Sequence, residues 1–157
     1  MDLEDEYYIR GKVIGISVHI ETLIEDILAN SVSDDQTTRY RIRAYFLRHL
    51  GFQVKLNLLR KIFDSLGIKE TYKPLLKRID DLTELRNVLA HQSSILNETD
   101  EKIGFYHLDQ KSDNTMIVTQ AKTKEEWDKY FVDYERLIED FISKMEEILS
   151  LIKENKK

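Results

Sequence analysis

Apolar residues recur at alternating steps of four and three through residues 124–153, whose sequence is KEEWDKYFVDYERLIEDFISKMEEILSLIK. This spacing holds side chains on one face of an α-helix and is typical of the seam of a left-handed helical bundle. The seam consists of Trp127, Phe131, Tyr134, Ile138, Phe141, Met145, Ile148 and Ile152, and it is widened by Tyr130, Leu137, Ile142 and Leu149. A face this wide either packs inside the chain's own core or serves that core and a partner subunit together.

A second long helix is predicted from about Leu3 to Asn30. Its apolar residues repeat the same spacing and are Ile9, Val13, Ile16, Ile20, Leu23 and Ile27. Gly11 and Gly15 lie one turn apart and weaken this helix by roughly 1 kcal/mol each relative to alanine. They either allow another helix to approach closely or are tolerated as neutral residues. A polar loop rich in capping residues is predicted at Asn30–Thr38.

The middle of the chain has the pattern of shorter helices. Residues 39–50 are predicted to be helical, and a second apolar stripe runs from Phe52 to Leu66, just before Gly67. Because Gly51 separates the two segments, they form either one kinked helix or two short ones.

A further helix is predicted to start at Lys73-Pro74, since proline suits the first helical turn. Its apolar stripe contains Leu75, Ile79, Leu82 and Leu89. The gap in this stripe falls at Leu85 or Arg86. A charge beside an apolar seam is costly unless it is paired or lines a wet cleft, so Arg86 is an unusual residue for this position.

Two short β-favouring runs, Ile103–Leu108 and Met116–Thr119, flank a polar, turn-like stretch at Asp109–Asn114. We expect them to pair as an antiparallel hairpin, with Ile103 and Phe105 on one face. The sequence therefore predicts a mainly α fold: a bundle of four to five helices, with a small β-hairpin inserted before the last long helix. Residues 1–157 are expected to form a single domain.

Composition restricts the classes of function. The chain has no cysteine, so disulfides and thiolate chemistry are excluded. The acidic start at Met1–Glu6 is unlike a secretory signal, and no apolar run approaches the ~20 residues needed to span a bilayer. We therefore expect a soluble cytoplasmic protein without a membrane partner.

The net charge of −5 counts against broad, non-specific RNA binding. Basic residues nevertheless cluster in the middle of the chain, at Arg39, Arg41, Arg43, Arg48, Lys55, Arg60 and Lys61. This cluster is interpreted either as a solvated helix face or as a local basic cleft.

The residues best suited to catalysis lie at the end of the helix that begins at Lys73. Asn87 and His91 are four residues apart and stack on one helix face, with Arg86 beside them. An imidazole, an amide and a guanidinium in this arrangement can move a proton, orient a phosphate and neutralise developing charge. The helix dipole favours a protonated His91, whereas Arg86 opposes it.

The segment Leu85-Arg86-Asn87-Val88-Leu89-Ala90-His91 resembles the Arg-x4-6-His motif of HEPN domains, with a polar residue after the arginine. The preceding helix, the long final helix and the wide seam are also similar to that family. The resemblance implies a helical bundle that dimerises, so that two copies of the motif face each other in a cleft. Active members are metal-independent endoribonucleases in which the ribose 2′-hydroxyl attacks the adjacent phosphate.

Carried over to this chain, the resemblance implies that His91 transfers protons, Arg86 clamps the phosphate and Asn87 orients the groups. It implies RNA as the partner and a toxin or phage-defence role, and we expect no cofactor and no metal. The inserted hairpin departs from the minimal family pattern and leaves the subfamily open.

Two other interpretations of the motif are retained. His91 can be a helix cap and Arg86 with Asn87 can hold neighbouring helices, so that the chain is a non-catalytic module. Such a module would bind a protein, such as an antitoxin or regulator, or a nucleotide ligand.

Asp80, Asp81 and Glu84, which precede the motif, are interpreted as solvated surface carboxylates.

Overall fold

A bundle of five α-helices with a small antiparallel sheet forms the described part of the chain. The computed structural model describes residues 3–91, 94–97, 102–108, 116–118 and 121–156. The helices are α1 (Leu3–Val32), α2 (Gln36–Tyr45), α3 (Phe52–Ser65), α4 (Lys73–His91) and α5 (Lys124–Asn155). The strands are β1 (Ser94–Asn97), β2 (Lys102–Leu108) and β3 (Met116–Val118), in the order β1-β2-β3. The predicted mainly helical bundle is confirmed.

Helix α1 packs against each of the other four helices of the bundle. Its apolar seam is buried from Ile9 to Ile27, as the spacing predicts. Polar contacts advance in the same direction along α1 and α5, from Asp5–Lys124 through Lys12–Glu135 to Asp34–Lys156 just beyond their C-terminal ends, so these helices run parallel. Neither α1 nor α5 is apolar enough along its length to cross a lipid bilayer, and the same is true of the other described helices.

The predicted loop at Asn30–Thr38 is too long. Helix α1 continues to Val32, and α2 starts at Gln36. Side chains of Asn30 and Ser31 donate to carbonyls of their own last turn, which extends α1. Asp35 then accepts a hydrogen bond from the Thr38 backbone N–H at 2.7 Å, which caps α2 and lowers the pKa of this carboxyl. Polar residues thus cap both helices here instead of forming an open loop.

Residues 39–50 also differ from the prediction of a continuous helix. Helix α2 ends at Tyr45, and Leu47–His49 form a single 3-10 turn before Gly51. The break is followed by α3 at Phe52, so the segment contains two separate helices rather than one kinked helix.

The seam of α5 is buried along most of its length, but its register drifts. Leu137, which was placed at the edge of the seam, is fully buried, whereas Ile138 and Met145 are half-buried. A helix has 3.6 residues per turn, so a strict 3.5-residue pattern rotates out of the core over several turns. Ile142 remains 47% exposed, so part of the wide face is available to solvent.

The sheet packs on one end of the bundle. Tyr106 to Leu108 pair antiparallel with Met116 to Val118, which confirms the predicted hairpin for that half of β2. The other half, Lys102 to Phe105, pairs with β1 instead, which the prediction did not include. Residues 109–115 and Thr119 lie outside the described residues. Ile103 and Phe105 are both fully buried. Phe105 contacts Trp127 of α5 edge-to-face, with ring centroids 6.0 Å apart. Strand β1, which extends the hairpin to three strands, was not predicted.

The two glycines of α1 do not mediate close packing in this structure. A Cβ atom built on Gly11 or Gly15 would meet no other atom within 4 Å. Both residues are exposed and line a groove between α1 and α5, together with Tyr7, Tyr8 and Ile138. The interpretation of tolerated glycines therefore fits the isolated chain, and their neighbourhood is open to solvent.

Candidate functional site

Helix α4 positions the motif at one end of the bundle. The predicted stripe of Leu75, Ile79, Leu82 and Leu89 is buried against the other helices. The helix ends at His91, and β1 begins three residues later at Ser94. Because α4 also packs against β2, its last turns lie where the helices meet the sheet. The buried leucines anchor these turns on one side and leave the other side to polar residues.

Arg86 lies at the edge of this stripe and is half-buried. Its Nη1 atom donates a hydrogen bond to Oδ1 of Asn87 at 3.1 Å. No carboxylate among the described residues forms an ion pair with Arg86. The guanidinium thus has one N–H group held by a neutral amide.

Asn87 is exposed and His91 is the last residue of α4. The four-residue separation puts their backbones on the same side of the helix, one turn apart. The side chain of His91 lies outside the described residues, so the structure places Arg86 and Asn87 together and locates His91 by its backbone. The three predicted site residues therefore share the last turn and a half of α4.

A depression of about 300 Å³ lies between α4 and α5. It is lined by Arg78, Asp81, Tyr130, Asp133 and Tyr134. The hydroxyl groups of Tyr130 and Tyr134 are 3.0 Å apart, and burial raises the pKa of Tyr134 well above its usual range. Both tyrosines were predicted to belong to the seam of the last helix; their separation by four residues indicates that their hydroxyls can meet.

The three carboxylates before the motif differ in their surroundings. Asp80 is half-buried and forms an ion pair with Arg60 of α3. Asp81 and Glu84 are exposed, as expected, although Asp81 lines the depression beside α5. Asp80 therefore connects two helices and is only partly a solvated surface residue.

A buried cation in α3 was missed by the sequence analysis. Lys55 is only 2% exposed, and its Nζ atom lies 2.5 Å from Oε1 of Glu21 and 2.5 Å from Oε1 of Glu25 in α1. The interpretation of the basic cluster as a solvated face is thus wrong for Lys55. It holds for Arg41, Arg48 and Lys61, which are exposed. The burial of Lys55 depends on two carboxylates that lie 34 and 30 residues away in the chain, which a helical pattern does not reveal.

Across the described ranges, His, Asp and Glu side chains do not gather in threes that could hold a metal ion. Comparisons of this chain with protein-family models, with curated proteins and with solved structures found no match.

Proposed function

We propose that this chain is a HEPN-like, metal-independent endoribonuclease, of the toxin or phage-defence type, with Arg86, Asn87 and His91 in its active site. The observation that carries the proposal is the half-buried Arg86, bound to Asn87 and without a described carboxylate partner. A structural arginine at the edge of a core is usually satisfied by an acid, because an uncompensated charge there is costly. The phosphodiester anion of an RNA linkage would supply the missing charge.

The proposed reaction is transesterification within RNA. The ribose 2′-oxygen forms a bond to phosphorus while the bond from phosphorus to the 5′-oxygen of the next nucleotide breaks. The proton of the 2′-hydroxyl passes to a base, and the 5′-oxygen receives a proton from an acid. The products carry a 2′,3′-cyclic phosphate and a 5′-hydroxyl. Arg86 would bind the non-bridging oxygens through its planar fork.

Two histidines would let base and acid act at once. We therefore place the active site at a homodimer cleft, where His91 of one copy accepts a proton and His91 of the second copy donates one. Asn87 would hold Arg86 in register with the phosphate, since its amide oxygen already binds one guanidinium N–H.

The test uses pure protein and fluorescently labelled RNA, including a panel of tRNAs, with and without EDTA. We expect cleavage by the wild type that EDTA does not inhibit and that His91→Ala reduces by about 10²–10⁴-fold, the usual worth of general acid–base catalysis. His19→Ala, which removes an exposed histidine of α1, is the matched control and should retain activity. A folded wild type that cleaves no RNA, with His91→Ala merely less stable, would leave the catalytic proposal without support.

A non-catalytic binding module is the second candidate, and the groove between α1 and α5 favours it. Its walls include Tyr7, Tyr8 and Ile138, and the two glycines keep its floor open. An apolar groove of this kind suits a helix from a protein partner such as an antitoxin or regulator. Binding of such a partner without any RNA cleavage would favour this candidate over the nuclease.

A further inference from the structure

Charge is strongly segregated in this chain. Residues 36–63 contain seven of the 24 lysines and arginines and none of the 29 acidic residues. This segment carries a formal charge of +7, and the rest of the chain carries −12. The segment comprises α2, the 3-10 turn and nearly all of α3. The acidic chain therefore contains one basic segment, although Arg43, Lys55 and Arg60 of that segment are paired with carboxylates of α1 and α4.

Aromatic side chains are exposed in the same region. Tyr40 is 70% exposed, Tyr45 68% and Phe46 67%. Arg41 and Arg48 of the same segment are also exposed, and neither forms an ion pair with a residue that the structure describes. We call these five residues the α2 patch. Arg41 and Tyr45 lie four residues apart and so share a face of α2.

The fold itself gives no reason for these aromatic rings. No residue of α2 is buried. The helix is held by polar contacts instead: Arg39 donates to Asn30 at 2.8 Å, and Arg43 forms an ion pair with Asp26. Three large rings exposed within seven residues of one another offer apolar surface on which a ligand can pack.

Beside the patch lies a groove of about 480 Å³, whose walls include Tyr40 and Arg48. Its floor is polar, because Lys55 meets Glu21 and Glu25 there and Arg43 approaches Glu25 at 3.8 Å. A floor of paired charges does not suit an apolar protein segment. The two carboxylates are already neutralised by Lys55 and Arg43, so they oppose an anion less than free acids would.

We propose that the α2 patch binds single-stranded RNA, with Tyr40, Tyr45 and Phe46 stacking on bases and Arg41 and Arg48 contacting phosphates. A single strand offers flat bases and a negative backbone at every nucleotide, which is the pairing of chemistries that the patch presents. A lipid surface fits less well, because membrane-bound helices present a continuous aliphatic face, whereas Leu47 is buried and Ile42 and Leu50 are half-buried here. The proposal does not depend on cleavage at Arg86 and His91.

The experiment is fluorescence anisotropy with a labelled oligouridine of about 12 nucleotides, a length within the usual site size. Tyr40→Ala and Phe46→Ala should each weaken binding at least about five-fold. Val132→Ala is the control, because Val132 is a 45% exposed apolar residue of α5 outside the α2 patch, and this variant should bind as the wild type does. Circular dichroism checks that each variant is folded.

Salt dependence tests the arginines. Replacing Arg41 and Arg48 together by glutamine should reduce the slope of log K against log salt by about 1.4, since each single-strand phosphate contact contributes about 0.7. Arg136→Gln, at an exposed position of α5, should leave the slope unchanged.

Competition experiments distinguish the possible ligands of the α2 patch. Duplex RNA of equal length should bind at least about five-fold more weakly, because its bases are not free to stack. The proposal is overturned if the oligouridine does not bind, if patch variants bind it as the wild type does, or if duplex binds equally well. It is also overturned if phosphatidylserine vesicles or polyglutamate bind the patch while oligouridine does not. If the chain binds oligouridine through the α2 patch but cleaves no RNA, the patch proposal is supported and only the nuclease proposal is contradicted.

Discussion

The Nη1 atom of Arg86 donates to Oδ1 of Asn87 at 3.1 Å, across adjacent positions of α4. This contact fixes one edge of a half-buried guanidinium without neutralising it. A neutral amide is a suitable neighbour for an arginine that must stay available to an anion, because it orients the group and adds no competing charge. The contact therefore connects the local geometry of α4 to the proposed role in phosphate binding.

Arg86→Lys is the sharpest test of this role. An ammonium keeps the charge but cannot form the planar fork, so we expect RNA cleavage to fall by at least about 10²-fold. The melting temperature should change little, since the positive charge and the aliphatic stem are retained. Initial cleavage rates and thermal unfolding, measured on the same preparation, separate the two effects. Cleavage at the wild-type rate by Arg86→Lys would exclude a phosphate fork at this position.

The homodimer proposed for the composite site predicts a mass of about twice the 18.7 kDa of one chain in light scattering at micromolar concentration. Ile142→Glu should lower that mass, because Ile142 is a 47% exposed apolar residue on the wide face of α5. Val54→Glu, at a 48% exposed position of α3, is the matched control. A monomer at every concentration measured would remove the composite site.

Lys55→Met should destabilise the fold by about 3 kcal/mol, because it leaves Glu21 and Glu25 without their shared cation in a partly buried environment. At this chain length, the loss corresponds to a melting temperature lower by roughly 10 °C. The exposed pair of Lys69 and Asp64 provides the control, and Lys69→Met should cost less than about 1 kcal/mol. Denaturant unfolding of both variants measures the difference, and equal losses would contradict the assigned burial.

Gly15→Ala should stabilise the chain by up to about 1 kcal/mol, since a methyl group there meets no atom and alanine is the better helix former. Gly67→Ala should do the opposite. Gly67 has a φ of +69°, in the left-handed region, where a side chain costs about 1–2 kcal/mol. Thermal unfolding of the two variants compares the same substitution at a helical residue and at a residue with a positive φ. A loss of stability in Gly15→Ala would show that something packs closely on α1.

Alkaline pH should weaken the fold through Tyr72. Burial and a hydrogen bond to the Glu147 carboxylate raise the pKa of this phenol to about 12 from an ordinary value of 10.0. The unfolded chain then ionises first, so the stabilisation is complete below about pH 10 and is lost as the pH rises towards 12. The advantage of the wild type over Tyr72→Phe in unfolding free energy should shrink across that window. Tyr45→Phe controls for loss of one exposed hydroxyl, and a constant advantage would contradict the raised pKa.

Much of the helical framework could be predicted from the sequence, because it depends on local spacing. The 3.6-residue period predicts the apolar seams of α1 and α4, and the two-residue period predicts that β2 and β3 are strands. The start of α4 at Lys73-Pro74 follows from the preference of proline for the first helical turn. The clustering of Arg86, Asn87 and His91 on the last turns of α4 follows from the same helical geometry.

Tertiary contacts decided the rest. Three features join segments that are far apart in the chain. Helices α1 and α5 run parallel, Lys55 is buried between Glu21 and Glu25, and Tyr130 lines one depression together with Arg78 and Asp81. Local periodicity shows that a face is apolar but not which face it will meet. A buried charge in particular is stable only when distant groups of opposite charge are brought to it, and that depends on the packing of whole helices.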